Sequence, residues 1–171
     1  VLAGGVIAYP TEAVFGLGCN PYDAQAVLHL LEIQQRDPAQ GLILIGASLD
    51  DCNDFIQPLD QAVEARISRS WPGPYTWLLP AADSCPLWLR GTHSSIAVRV
   101  TAHAQCRQLC QEAGMALVST SANQHGRPPA KNVLQVRRQL GDKLDFILAG
   151  PTSGLAKPSE IRDAISGHQL R

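Results

Sequence analysis

The chain has 171 residues, of which 45% are hydrophobic and 17% are charged, and its formal net charge is -1. That length fits one domain, or at most two small ones, and is enough to bury a substantial core. The apolar content and low net charge exclude intrinsic disorder. No apolar run is long enough to cross a membrane. The charge also excludes a nucleic-acid binder that works by bulk positive charge.

The basic residues are strongly biased toward arginine. Of the 14 basic residues, only Lys131, Lys143 and Lys157 are lysine. The planar arginine side chain binds phosphate and carboxylate groups through two parallel hydrogen bonds. The bias therefore indicates recognition of a phosphate or carboxylate group.

The five cysteines indicate a reduced, cytoplasmic protein. They are scattered without a C-x-x-C pair, and an odd number does not fit a disulfide framework. His103, Cys106 and Cys110 could share one helix face and bind a metal, but without a second ligand cluster a buried face with small thiols is favoured. No signal peptide is visible. The chain starts at Val1 rather than Met, so we expect a trimmed N-terminus.

Strands and helices alternate in the predicted elements of the first half. The pattern predicts a strand at 6–9, ended by Pro10, and then a glycine-containing loop at 12–20. Asp23 is placed to cap a helix with Val27, Leu28, Leu31 and Ile33 on its apolar face. An all-apolar strand follows at 42–45, and helical patterns lie around 49–56 and 59–70.

The second half continues the alternation after a rigid turn at 71–74, where two prolines exclude a helix. Strands are predicted at 75–79, 95–100, 116–119, 145–148 and 160–165, and helices at 103–113, stopped by Gly114, and 133–140, capped by Asn132. The interleaving predicts an α/β sheet covered by helices, in a single domain over residues 1–171.

A run of small polar side chains, Ser-Thr-Ser-Ala-Asn at 119–123, directly follows a predicted strand. Hydroxyl and amide groups at the carboxyl end of a strand can bind an anionic ligand, and their small size lets backbone N–H groups approach a phosphate. A serine- and threonine-rich turn explains the run equally well.

Pro10, Thr11 and Glu12 also follow a strand and precede two closely spaced glycines. Glycine permits tight backbone turns beside a ligand, but neither a P-loop nor a G-x-G-x-x-G motif is present. Glu12 is a candidate general base, although an exposed carboxylate is the commoner case.

Arg99 lies inside the apolar strand predicted at 95–100, and an arginine is rarely buried in such a strand without an anionic partner. It therefore points to a ligand or to a carboxylate such as Glu160 or Asp163. Arg36 ends a helix, and Arg162 and Arg171 stay ambiguous. No motif for a nucleophilic serine or cysteine occurs, so the polar residues favour binding with phosphoryl or nucleotidyl transfer.

Six motifs in order resemble the YrdC family, and most closely its short bacterial form, over about residues 5–171. They are A-Y-P-T-E-A-V-F-G-L-G at 8–18, G-L-I-L-I at 41–45, W-P-G-P at 71–74, A-V-R-V at 97–100, S-T-S-A-N at 119–123 and P-S-E-I-R-D at 158–163. The resemblance implies a single-domain, twisted, open mixed sheet with helices packed on it and a concave ligand cavity.

The resemblance also implies a reaction. L-threonine, bicarbonate or CO2, and ATP with Mg²⁺ would give threonylcarbamoyl-AMP and pyrophosphate, the first step of threonylcarbamoyladenosine formation at adenosine 37 of tRNA. The pathway proteins TsaB, TsaD and TsaE would be partners. No covalent enzyme intermediate is expected, because positioning dominates such a reaction.

The family motifs assign roles to individual residues by position. The threonine site would comprise Thr11, Arg99, Ser119 and Ser159. The phosphate and nucleotide site would comprise Gln34, Arg36, Ser121, Asn123 and Arg171, with Arg36, Ser121 and Asn123 as the catalytic set. No side-chain cluster for a metal is expected beyond the Mg²⁺ that accompanies ATP.

Gln34 departs from the family pattern, because the first position of the K-x-R motif is normally lysine. Gln40 likewise stands where lysine or asparagine is usual. Glutamine can hydrogen-bond a phosphate but brings no charge, which would weaken transition-state stabilisation. A specialised relative, compensation by Arg127 or Lys131, and an altered sequence are three explanations.

The alternative function is a non-catalytic module that binds tRNA, rRNA or double-stranded RNA through the same concave surface, as in ribosome maturation. The net charge of -1 and the few aromatic residues oppose it. The Gln34 departure favours it.

Overall fold

An eight-stranded mixed sheet forms the centre of the computed structural model, which describes residues 1–170. Its strands are β1 (Ile7–Pro10), β2 (Phe15–Gly18), β3 (Ile43–Gly46), β4 (Tyr75–Pro80), β5 (Ser95–Val100), β6 (Leu117–Ser121), β7 (Phe146–Ile147) and β8 (Glu160–Asp163). Their order across the sheet is β7-β1-β2-β6-β3-β5-β4-β8. The open mixed α/β sheet is therefore confirmed.

The connecting helices are α1 (Ala24–Gln34), α2 (Gln61–Ile67), α3 (Leu87–Arg90), α4 (Ala104–Ala113) and α5 (Val133–Leu140), with short 3-10 turns at Pro38–Gln40, Asp50–Phe55 and Gly141–Lys143. Three predicted helix caps are confirmed. Asp23 accepts hydrogen bonds from two backbone N–H groups of α1, Asn132 accepts one from α5, and Gly114 ends α4 in the left-handed conformation at φ 68°. Within residues 1–170, no helix has the length and apolar character needed to span a membrane.

Several predicted elements need correction. The loop predicted at 12–20 contains β2, whose glycines gave no strand signal but which pairs with β1 and β6. Leu28 is exposed and Leu30 is buried in its place on α1. The helical pattern at 49–56 is a 3-10 turn. The helix predicted at 59–70 is shorter, because α2 begins after its N-terminal cap Asp60 and ends at Ile67. Ser119 to Ser121 belong to β6 rather than to a turn after it.

The two faces of the sheet are covered unequally. On one face, here called the α4 face, Ile45 and Leu117 pack against Cys106 and Cys110 of α4. The other face carries the larger core, to which α1, α2, α3 and α5 contribute Leu30, Val63, Leu89, Val136 and neighbouring residues. Side chains two residues apart on a strand share a face. Arg99, Ser119 and Ser121 therefore lie on the α4 face, which a single helix covers only in part.

Tyr9 and Gly18 fit together where β1, β2 and β6 meet. The buried Tyr9 hydroxyl donates to the Val118 carbonyl at 3.4 Å. A Cβ atom on Gly18 would lie 2.6 Å from that carbonyl oxygen and 2.7 Å from the Tyr9 ring. Only glycine therefore allows this close approach of three strands.

Gly18→Ala is expected to lower the free energy of unfolding by about 1–3 kcal/mol, because the added methyl group overpacks a rigid region. Urea unfolding of the two proteins measures the difference. The control is Gly141→Ala, where a Cβ would find its nearest atom at 3.7 Å; this change should stay within about 0.5 kcal/mol. Equal stability of Gly18→Ala and the wild type would contradict the packing described.

Candidate active site

A cavity of about 190 Å³ opens on the α4 face. Six of the predicted site residues line it: Thr11, Arg36, Arg99, Ser119, Ser121 and Ser159. They come from the β1–β2 connection, the end of α1, β5, β6 and the segment before β8. The fold therefore brings together residues from five separate parts of the chain.

Gly16 forms the floor beside the β6 hydroxyls. A Cβ there would lie 3.2 Å from the Thr11 methyl group and 3.3 Å from the Thr120 carbonyl oxygen. Glycine therefore permits the close approach of the Thr11 side chain and β6 at the edge of the cavity. Glycine in this strand is thus explained by close packing rather than by a turn.

Arg99 and Glu12 form a buried pair of opposite charges inside the cavity. Arg99 Nη2 lies 3.8 Å from Glu12 Oε2, and the two residues are only 7% and 4% exposed. Glu12 Oε1 accepts a hydrogen bond from Thr101 Oγ1 at 2.6 Å. Within residues 1–170, Glu12 Oε2 and Arg99 Nε have no hydrogen-bond partner.

This geometry corrects two expectations. Glu12 is buried rather than exposed, because its carboxylate compensates the charge of Arg99. The carboxylates of Glu160 and Asp163 are not the partners of Arg99. Glu160 pairs instead with Arg162 at 2.6 Å, and the Arg162 guanidinium stacks 4.8 Å from the centre of the Tyr75 ring. Thr101 was missed, although strand alternation places it on the same face as Arg99.

The hydroxyl groups around the cavity are held by local contacts. Thr11 Oγ1 donates to the Val14 carbonyl at 2.7 Å. The hydroxyls of Ser159 and Thr76 lie 3.2 Å apart, which fixes the segment that enters β8. These contacts set the side chains in place before any ligand arrives.

A second cavity of about 330 Å³ adjoins the first, and both are lined by Arg36 and Ile43. Arg36 donates from Nη2 to the Gly41 carbonyl at 2.8 Å. The second cavity is mainly apolar, with Leu78, Ala97 and Ile161 in its lining and Arg90 and His93 among its polar groups. Arg90 and His93 were not predicted as site residues, because the sequence around them contains no recognisable motif.

Gln34 is buried and lines neither cavity. Its side-chain Nε2 donates to the Ser121 backbone carbonyl at 2.6 Å, and the backbone carbonyl of Gln34 accepts from the His125 backbone N–H. The side chain therefore ties the end of α1 to the end of β6. The phosphate contact predicted for Gln34 stays a prediction.

The remaining predicted residues lie nearby or outside the described part. Asn123 follows β6, and its Nδ2 donates to the Gln124 carbonyl at 2.9 Å. Its Oδ1 is buried without a partner among residues 1–170. Arg127 and Lys131, considered as compensating cations, are exposed and line neither cavity. Arg171 lies outside the described residues.

His103, Cys106 and Cys110 have structural contacts. His103 caps α4, Cys106 Sγ donates to the Pro10 carbonyl, and Cys110 Sγ donates to the Ile45 carbonyl. Burial raises the pKa of the Cys110 thiol to about 12. Among residues 1–170, no group of three or more His, Cys, Asp or Glu is placed to hold a metal ion.

The sheet and its charged cavity define an α/β ligand-binding domain with a site for a small polar molecule. The family profile Sua5_yciO_yrdC, described as telomere recombination, matches residues 1–171, and the chain belongs to this family. The resemblance seen in the motifs is thereby confirmed.

Two curated relatives resemble the whole chain. The threonylcarbamoyl-AMP synthase of Marinobacter nauticus is 52% identical over 172 residues, which cover 100% of this chain and 90% of the relative. The threonylcarbamoyl-AMP synthase of Nitrosococcus oceani is 51% identical over 171 residues, covering 100% and 92%.

Two solved structures share the fold. Sua5 of P. abyssi, in a crystal structure complexed with L-threonine, superposes with a TM-score of 0.88 at 29% identity, covering 94% of this chain and 47% of that one. YciO of E. coli superposes with a TM-score of 0.84 at 25% identity, covering 95% and 79%.

The Arg99–Glu12 pair predicts a non-additive effect on stability. Arg99→Met leaves a buried carboxylate without its counter-charge and should cost about 3–5 kcal/mol of unfolding free energy. Adding Glu12→Gln to that variant should restore a large part of the loss. Urea unfolding of the single and double variants measures the coupling. Strictly additive losses would mean that the two charges do not interact.

Proposed function

We propose that this chain is a threonylcarbamoyl-AMP synthase, which converts L-threonine, CO2 or bicarbonate, and ATP into threonylcarbamoyl-AMP and pyrophosphate. The observation that carries this proposal is the cavity in which Arg99, Thr11 and Ser159 meet beside Arg36. Relatives about half identical to this chain bear that enzyme's name. The relative complexed with L-threonine has the same fold.

Arg99 is the proposed anchor for the threonine carboxylate. A guanidinium group binds a carboxylate through two parallel hydrogen bonds, and burial strengthens the attraction. The hydroxyls of Thr11, Ser119 and Ser159 surround the remaining polar groups of the amino acid. Their small size fits a cavity of about 190 Å³.

The reaction proceeds in two bond-forming steps. The threonine nitrogen loses a proton to water and, as the neutral amine, attacks the carbon of CO2; loss of a second proton to water gives the carbamate. A carbamate oxygen then attacks the α-phosphorus of ATP, the bond to the β-phosphate breaks, and pyrophosphate leaves with the electron pair. Holding both reactants in contact accounts for most of the acceleration.

The proposed phosphate ligands are Arg36, Ser121 and Asn123. Gln34 contacts the Ser121 carbonyl, and Arg171 completes the proposed nucleotide site. Because Arg36 and Ile43 line both cavities, the product can extend from the threonine cavity into the second one. The apolar lining of that second cavity suits a purine ring. Mg²⁺ enters with the triphosphate, since this ion binds mainly substrate phosphates and water.

The product is a reactive mixed anhydride and must pass to a further group-transfer step. We assign that step to TsaB, TsaD and TsaE acting on adenosine 37 of tRNA. Five free, buried cysteines support a reducing compartment, the cytoplasm.

Pyrophosphate release from ATP tests the function. The full chain should release pyrophosphate only when L-threonine and bicarbonate are both present. Arg36→Gln should lower kcat by about 100-fold or more, since a charged donor at the phosphates is lost. Arg138→Gln, an exposed arginine on α5, is the control and should leave kcat unchanged. No release by the wild type, together with salt-sensitive RNA binding, would support the RNA-binding alternative.

Gln34→Lys tests the departure from the family pattern. A lysine at 34 can still donate to the Ser121 carbonyl and adds a positive charge close to the phosphates, so kcat should rise by at least about 10-fold. Gln35→Lys makes the same change one residue further on, where the side chain is exposed, and should have little effect. Equal rates for the two variants would show that the side chain at position 34 acts only through its hydrogen bond to the Ser121 carbonyl.

A further inference from the structure

Glu12 Oε2 is a buried carboxylate oxygen without a hydrogen-bond donor among residues 1–170. The other carboxylate oxygen, Oε1, accepts a hydrogen bond from the Thr101 hydroxyl at 2.6 Å, and this bond orients the carboxylate. Buried polar atoms nearly always have a partner, so an unpartnered one at a cavity wall indicates a place for a ligand donor. Glu12 is in the lining of the threonine cavity.

The spacing of the Arg99–Glu12 pair leaves each charge with room for a second partner. Their nearest atoms are 3.8 Å apart, whereas a direct charged hydrogen bond is about 2.7–2.9 Å long. Arg99 Nε is also unpartnered among the described residues. A positive and a negative group therefore stand side by side on one cavity wall.

An α-amino acid presents the complementary arrangement, because its carboxylate and ammonium groups are bonded to the same carbon atom. We propose that Glu12 Oε2 accepts a hydrogen bond from the α-ammonium group while Arg99 holds the α-carboxylate. The inference rests on the proposed function and extends it, since it assigns the partner of the nitrogen. The cavity then selects zwitterions over simple carboxylic acids.

Charge balance supports this assignment. An ammonium group that leaves water for a buried site loses its hydration, and only an opposite charge or several acceptors compensate that loss. The Arg99–Glu12 pair and the amino acid are each neutral overall, so binding buries no net charge. Contact with Glu12 also fixes the nitrogen, which attacks CO2 once the ammonium group has lost a proton to water.

Glu12 could instead serve only as the counter-ion of Arg99. In that case its loss would leave the charge of Arg99 unbalanced and change the affinity for every carboxylate ligand to the same extent. A direct contact with nitrogen weakens only ligands that have the amino group. A pair of ligands that differ in this group therefore separates the two roles.

Calorimetric titration of the full chain with L-threonine and with 3-hydroxybutanoate, its analogue without the amino group, provides the test. The wild type should prefer L-threonine by about 10-fold or more. Glu12→Gln should lose that preference, with affinity for L-threonine falling about 10-fold or more and affinity for 3-hydroxybutanoate unchanged or higher, because the anion then balances the charge of Arg99. Glu160→Gln, which removes a carboxylate that pairs with Arg162, should change neither affinity.

Glu12→Asp repeats the test with the charge retained and the carboxylate withdrawn by one methylene group, and it should also lose affinity for L-threonine selectively. ATP binding and the melting temperature of each variant establish that it is folded. An equal change in affinity for both ligands, or unchanged L-threonine binding in both variants, would overturn the inference. A wild type that binds no L-threonine would instead overturn the proposed function.

Discussion

A buried pair of opposite charges, Arg99 and Glu12, is the constraint around which the site is organised. Neither side chain is tolerable in the sheet interior alone, so β5 and the β1–β2 connection must meet on the α4 face. That meeting occurs at the edge of the apolar cluster under α4. The helix covers the apolar part of this face and leaves the charged part open to a ligand.

The sequence indicated the need for such a pair but not its members. An arginine inside the apolar strand β5 correctly signalled a buried anion or ligand. The acidic residues of β8 were the candidate carboxylate partners, with a ligand as the alternative, whereas the carboxylate comes from the far N-terminal part of the chain. Two strands, β6 and β3, lie between β2 and β5 in the sheet, so the contact is made by the β1–β2 connection and depends on the whole topology. The missed strand β2 has a related cause, since its glycines lower strand propensity while close packing against distant residues requires them.

Gln34 illustrates how structure changes the meaning of a motif. As a substitution in the K-x-R pattern, it indicates a lost charge beside the phosphates. In the fold, its amide holds the Ser121 carbonyl, and Ser121 lines the cavity. The residue therefore has a positioning contact that glutamine and lysine can both make. The helix caps and most strands were predictable because they depend on local residues. The site depends on contacts between distant segments.

A crystal structure of the chain with bound L-threonine would show the pairing of its two charged groups. We expect the α-carboxylate against the Arg99 guanidinium and the nitrogen within about 3 Å of Glu12 Oε2. An amino acid bound with its nitrogen turned away from Glu12, or bound outside this cavity, would contradict this pairing.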